Sequence, residues 1–228
     1  MLSLAFCDLL SLEHELAQRS DSSWLSQTEC ERLDDIRSPR RRLEWRAGRW
    51  LVKKLIQEQI GDRAKSCVEL CVESRDARGR GARPRVFVSG TLQPWQVSIS
   101  HSPCSACAAV AIENSTSLGV DVTPKQPLPH SFSRMWFTND ERAWCEERGQ
   151  HARSLVWSLK ESLYKSLDAA QPFAPRQLDV VKEFSLFDIH PGELLSGRAT
   201  CLSNKSGKVV IHSTQHEIAT TVLWKNVA

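Results

Sequence analysis

The sequence is poor in the features that fix a protein's class by themselves. No apolar run approaches the length of a membrane-spanning helix, which argues against a bilayer protein. The first residues, MLSLAFCDLLSLEHELAQ, lack a basic start and are broken by Asp8 before an apolar run can build, so no secretory leader is expected. Net charge is only +3, too little to call for nucleic acid or a membrane surface. Low-complexity tracts are missing, and no residue-level repeat joins the two halves. No Gly-x-Ser-x-Gly turn accompanies Ser100-His101, and neighbours on an extended chain point to opposite faces, which disfavours a serine hydrolase. Cys104-x-x-Cys107 has no second matching pair to complete a structural zinc site. Without an export signal, the eight scattered cysteines read as reduced thiols of a cytoplasmic protein.

What is present is ordinary globular material: 228 residues, 41% hydrophobic and 25% charged, enough for one domain or two small ones. The first sixty residues look helical, with Thr28-Glu-Cys-Glu31 offering a capping box as a start. An amphipathic helix follows over 43–56, interrupted by Gly48, a residue that often marks close packing. Strands are expected at 68–72, 86–88, 97–99 and 106–112, with an Arg- and Gly-rich loop over 75–85. The polar break at 113–117 is the best boundary. Beyond it lie a short strand at 118–122 and a capping box at Thr138–Glu141 that opens a helix to about Arg148. Next come a helix around 157–165 and strands at 199–202, 209–211 and 218–223. The expected fold class is α+β, in two halves, 1–116 and 117–228.

Three polar clusters interrupt apolar surroundings. Ser100-His101-Ser102 ends a strand, where a histidine can be structural or can donate to a phosphate. Asp121 is the lone acid in Gly119-Val-Asp-Val, and a buried carboxylate must be paired, hydrogen-bonded or metal-bound. Arginines gather at 40, 41, 42, 46 and 49 and again at 78, 80, 83 and 85. With no aromatic platform interleaved, they suit a polyanionic small molecule better than nucleic acid. In Trp157-Ser-Leu-Lys-Glu-Ser-Leu-Tyr-Lys165, the residues Trp157, Lys160, Glu161, Tyr164 and Lys165 share one helical stripe, opposite Leu155, Leu159, Leu163 and Leu167. Glu161 is the leading partner for Asp121 at a divalent cation, since Mg²⁺ takes one or two carboxylates and fills its octahedron with phosphates and water.

The order SHS, GVDV, FTNDE and WSLKESLYK, within matches running from about Arg40 to Lys165, resembles the 4'-phosphopantetheinyl transferases of the Sfp type. The resemblance implies a pseudo-twofold pair of similar α+β halves with the active site in the cleft between them. It implies transfer of 4'-phosphopantetheine from coenzyme A to a serine of an apo carrier protein, with Mg²⁺ and release of 3',5'-ADP. Such carriers serve fatty-acid, polyketide or nonribosomal peptide synthesis. Asp121 and Glu161 would hold Mg²⁺, Ser100 and His101 would sit at the 3'-phosphate, and Arg83, Arg46 and Arg49 would belong to the nucleotide site. Lys165 would stabilise or protonate the leaving phosphate, Lys160 would add positive charge nearby, and Glu161 is the nominated base. Catalysis is thus expected of Glu161, Lys165 and Asp121. A monomer, with no nucleic-acid or membrane partner, is implied. Glu141 fits either the family motif or a plain helix cap. Thr123 departs from the pattern, standing where many members carry a glutamate, and it keeps open a non-catalytic relative that binds coenzyme A or a carrier protein.

Overall fold

The computed structural model describes residues 2–61, 66–76, 78–112, 116–149, 151–167, 173–186, 200–203 and 207–225. The chain divides into two compact units, Met1–Asn114 and Ser115–Ala228. Residues 113–115 of the polar break, and Ala199 of an expected strand, lie outside the described residues.

The first unit opens with a strand where a helix is expected. β1 (Leu2–Asp8) pairs antiparallel with β6 (Ser105–Ala111), and β6 pairs with β5 (Gln96–His101) on its other side. The seven residues of β1 become a strand because the buried apolar β6 offers a full ladder, a tertiary partner that local pattern does not reveal. Asp8 ends the strand and caps α1 (Leu9–Ala17), accepting the Ser11 amide at 2.8 Å.

The capping box of α2 (Gln27–Asp34) stands two residues before the expected one. Ser26 caps the helix and Glu29 completes the box, while Thr28 and Glu31 stay exposed. Glu29 is preferred because its carboxylate turns inward, 2% exposed, to meet Lys53 and the Val72 amide. α3 (Pro39–Ile60) runs longer than the periodicity predicts, with Ser38 as cap and Pro39 in its first turn. It lies on the β1-β6-β5 sheet, and a Cβ on Gly48 would come within 2.8 Å of Ile99 Cγ2, so the glycine permits this crossing. β2 (Leu70–Arg75), β3 (Gly81–Val88) and β4 (Thr91–Leu92) form a second antiparallel sheet. β2 and β3 therefore take up most of the expected arginine loop, and Asp76 accepts the amides of Arg78 and Arg80, each at 2.9 Å. Arg83 and Arg85 are strand residues.

The second unit holds β7 (Thr116–Pro124), α4 (His130–Trp136), α5 (Asn139–Glu147), α6 (Ala152–Ser166) and α7 (Val180–Glu183). β8 (Thr200–Ser203), β9 (Gly207–Ser213) and β10 (Glu217–Lys225) follow. The sheet order is β7-β10-β9-β8, antiparallel throughout. Thr138 and Glu141 form the expected capping box. α6 packs on β7 and β10, burying Leu155, Leu159 and Leu163. Among the described residues no helix is long and apolar enough to cross a membrane, and seven cysteines are free thiols.

Candidate active site

Asp121 sits in the middle of β7, 5% exposed, on the face that α6 covers. Gly119 shows why that face can be covered so closely. A Cβ there would stand 1.9 Å from the Ser162 carbonyl oxygen and 2.7 Å from the Ser166 nitrogen, so helix backbone rests on strand backbone. Asp121 follows two residues later on the same face, aimed at the last turns of α6. Its Oδ1 accepts from Lys165 Nζ at 2.9 Å, and its Oδ2 accepts from Thr123 Oγ1 at 2.7 Å. Burial pushes the Glu161 carboxyl above the ordinary carboxylate range, the Lys165 charge opposes this, and the Asp121 charge adds to it. Asp121, Glu161 and Lys165 are thus brought together by β7 and α6.

This donor set fits a hard divalent cation. Two crowded carboxylates supply anionic oxygens, and the Lys165 ammonium already occupies a cation's position on Asp121. Among the described residues no group of three His, Cys, Asp or Glu stands together as a metal cage. Thr123 supplies a hydroxyl to the Asp121 carboxylate.

Lys160 is not part of this group. Its side chain is fully buried, and Nζ donates to both oxygens of Glu141 at 2.6 Å and to the Leu178 carbonyl. Glu141 also accepts the amides of Thr138 at 2.8 Å and Val180 at 2.9 Å. Burial pushes the Glu141 carboxyl up and the Lys160 ammonium down, and each charge opposes the other's shift. The expected placement of Lys160 beside phosphates gives way to an internal ion pair that ties α6 to the start of α5, and Glu141 serves as cap and counter-ion. The expected polar stripe is divided in the same way. Trp157 packs edge-on against Phe132 at 4.8 Å, Tyr164 meets Phe173 at 4.5 Å, and Glu161 and Lys165 remain at the Asp121 side.

In the first unit, His101 ends β5 and meets the start of α3. Arg41 Nη1 contacts His101 Nε2, and since an arginine only donates, Nε2 accepts and the ring proton belongs on Nδ1. Nδ1 lies 3.5 Å from Glu44 Oε2. Glu44, 8% exposed, also takes Arg40 at 3.0 Å and Arg41 at 3.1 Å. Burial would raise its carboxyl, but the hydrogen bonds from Arg40 and Arg41 outweigh that and hold it below the ordinary range. Sequence reasoning missed Glu44, although an acid three and four residues after two arginines is a readable helix pairing.

Arg49 and Arg41 line a cavity of about 620 Å³ together with Arg32, Trp45 and Arg75. Arg49 is 5% exposed, lies 4.1 Å over the Trp45 ring and donates to Ser74 Oγ at 2.5 Å. Among the described residues no carboxylate pairs with it, and burial lowers its guanidinium to about 10. Arg46 points elsewhere, bound to Asp21 at 2.8 Å and to the Leu16 carbonyl at 3.2 Å, so it ties helices together and does not reach the cavity. Arg83 is a half-buried residue of β3, sharing a face with Arg85. Ser100 is buried on β5, and Ser102 accepts the amides of Cys104 and Ser105 as a turn cap.

Residues 117–221 match the 4'-phosphopantetheinyl transferase superfamily. That span contains β7, α6 and every member of the Asp121 group. Among solved structures the chain is similar to a holo-(acyl-carrier-protein) synthase from Bacillus anthracis in complex with CoA (3',5'-ADP). The match has 25% identity and a TM-score of 0.40, and it covers 48% of this chain and 91% of that one. No curated protein matches the chain.

Proposed function

We propose that the protein is a Sfp-type 4'-phosphopantetheinyl transferase, moving 4'-phosphopantetheine from coenzyme A to a serine of an apo carrier protein. The observation that carries this reading is the convergence of Asp121, Glu161 and Lys165 within the segment that matches the superfamily. Asp121 and Glu161 are the residues to hold Mg²⁺, which when bound would neutralise the pyrophosphate and polarise its oxygens.

Glu161 has the properties of a general base. Burial and the neighbouring Asp121 raise its affinity for a proton, which brings it nearer to working pH. It takes the proton of the carrier serine as that oxygen attacks the β-phosphorus of coenzyme A. The bond from that phosphorus to the bridging oxygen breaks, and 3',5'-ADP leaves with the electron pair. Lys165, released from Asp121, offsets the charge that builds on the leaving group. In the first unit, Arg41 and Arg49 supply donors suited to the nucleotide phosphates, and His101 stands beside Arg41. Lys160 and Arg46 have no part in this assignment.

The test is intact-protein mass spectrometry of an apo carrier incubated with the protein, coenzyme A and Mg²⁺. The expected result is a gain of one phosphopantetheine, lost on adding chelator and lost with Glu161→Gln while the variant stays folded. Coenzyme A binding without any gain, across fatty-acid, polyketide and peptide carriers, would replace the proposal with a non-catalytic relative. Thr123 is the feature that makes that outcome worth testing.

A further inference from the structure

The acids and the lysine of the proposed site stand on two elements, so their spacing depends on where α6 sits along the sheet. The surface that α6 turns to the sheet is a row of serines, Ser154, Ser158, Ser162 and Ser166, all at most 1% exposed. They recur every four residues, as one face of a helix requires. Such a row, above Gly119, allows a close approach but does not fix position along the strands, because small side chains interlock poorly.

Position along the strands is supplied by one residue of β10. Thr220 stands directly across from Asp121 in the antiparallel ladder, so both side chains share the face toward α6. The Thr220 hydroxyl donates to the Ser158 carbonyl at 2.9 Å and lies 2.9 Å from Ser158 Oγ and 2.5 Å from Ser162 Oγ. Ser162 Oγ also lies 2.9 Å from the Thr220 carbonyl oxygen, to which it donates. All three residues are 0% exposed. A buried hydroxyl network is satisfied in one register and leaves orphan donors in any other, which makes it a device for position more than for net stability.

We infer that Thr220, clamped between Ser158 and Ser162, is a positioning residue that sets the register of α6 on β7 and β10 and so holds Glu161 and Lys165 to Asp121. None of the three touches a reacting atom. Ser162 follows Glu161 directly and Thr220 pairs across the ladder with Asp121, so the clamp adjoins both acids. This inference rests on the reading of Asp121 and Glu161 as the reacting site.

The decisive pair is Thr220→Val, which keeps the branched shape and removes the hydroxyl, and Thr220→Ser, which keeps the hydroxyl. Steady-state transfer kinetics are measured alongside Mn²⁺ binding by paramagnetic relaxation, with urea melts to correct for unfolded protein. Thr220→Val is expected to lower kcat at least about tenfold per folded molecule, with KM for coenzyme A unchanged, and to weaken Mn²⁺ binding. Thr220→Ser restores both. Wild-type kcat and Mn²⁺ affinity in folded Thr220→Val would overturn the inference and leave the hydroxyl a merely structural group. If the wild-type chain neither transfers nor binds Mn²⁺, the proposed function fails and the clamp is read from the crystal structure of Thr220→Val alone. There, separation of Lys165 from Asp121 upholds the clamp, and an intact contact overturns it.

Discussion

Gly119→Ala is the smallest change that should disturb the proposed site without touching any of its polar groups. Gly119 is not among the glycines with positive φ, so its backbone is open to any residue, and alanine would by itself favour a strand by about 0.5–1 kcal/mol. Packing reverses that sign. The new methyl would lie 1.9 Å from the Ser162 carbonyl oxygen, 2.7 Å from the Ser166 nitrogen and 3.0 Å from the Lys165 carbonyl carbon. All three are backbone atoms of one helix, so no side chain can rotate away, and α6 must retreat by about 1.5 Å to restore ordinary contact. Overpacking of this kind destabilises by about 1–3 kcal/mol. The retreat also carries Glu161 and Lys165 away from Asp121, and a shift of about 1 Å at a reacting centre can lower turnover on the order of a hundredfold. Urea unfolding and mass-spectrometric transfer assays on the same preparation test both consequences. A variant with wild-type stability and turnover would refute the claim that contact between β7 and α6 backbone sets the site.

Lys160→Met leaves the Glu141 carboxylate buried without its counter-ion, and a loss of about 3–5 kcal/mol is expected in urea unfolding. Transfer per folded molecule should stay near wild type, whereas a stable but inactive variant would return Lys160 to the phosphates. Glu44→Gln tests pH dependence. The folded-state pKa of Glu44 is held below its ordinary value of 4.5, so its contribution is present above that value and fades as pH falls through the folded pKa. The variant should therefore show a flatter loss of stability on the acid side, and an unchanged acid limb in pH-stepped urea melts would contradict the Arg40–Arg41–Glu44 group. Thr123→Glu adds a carboxylate beside Asp121, and the Mg²⁺ concentration for half-maximal transfer should fall. A rise would show that the Thr123 hydroxyl matters more to Asp121 than a third acid does to the cation.

Much of the second unit was legible because its signals are local. The Thr138 box, the leucine row of α6 and the lone acid in an apolar strand each follow from neighbours in the chain. What misled was the inference from a helical face to its surroundings. Periodicity places Lys160 and Glu161 on one stripe, but it cannot show that the Leu178–Val180 segment and the start of α5 cover the Lys160 edge. The same gap explains Arg46, whose partners Leu16 and Asp21 belong to segments with no pattern pointing at it. β1 and the Ser26 box were missed for a related reason, since each depends on a tertiary partner, β6 in one case and Lys53 in the other. Gly119 was quoted as part of a motif, yet only the contact distances tell what a glycine does there.

The first unit supplies an internal control for the role of Lys160. Glu29 ends the Ser26 capping box as Glu141 ends the Thr138 box, and each is buried against a fully buried lysine of its unit's long helix, Lys53 on α3 and Lys160 on α6. Each glutamate also takes a backbone amide from a later segment, Val72 in one unit and Val180 in the other. Each lysine finishes its coordination on carbonyl oxygens, those of Trp24 and Cys67 for Lys53 and that of Leu178 for Lys160. The intervals differ, 24 residues against 19, which is why no repeat shows in the sequence. The reacting group does not recur with the lock. α3 has Lys54 directly after Lys53, where α6 has Glu161 directly after Lys160. An arrangement that recurs without the chemistry belongs to the scaffold. On that ground the lysine and glutamate that adjoin in the chain, Lys160 and Glu161, do separate work: the first fastens α6 to its unit, and the second presents a carboxylate to Asp121.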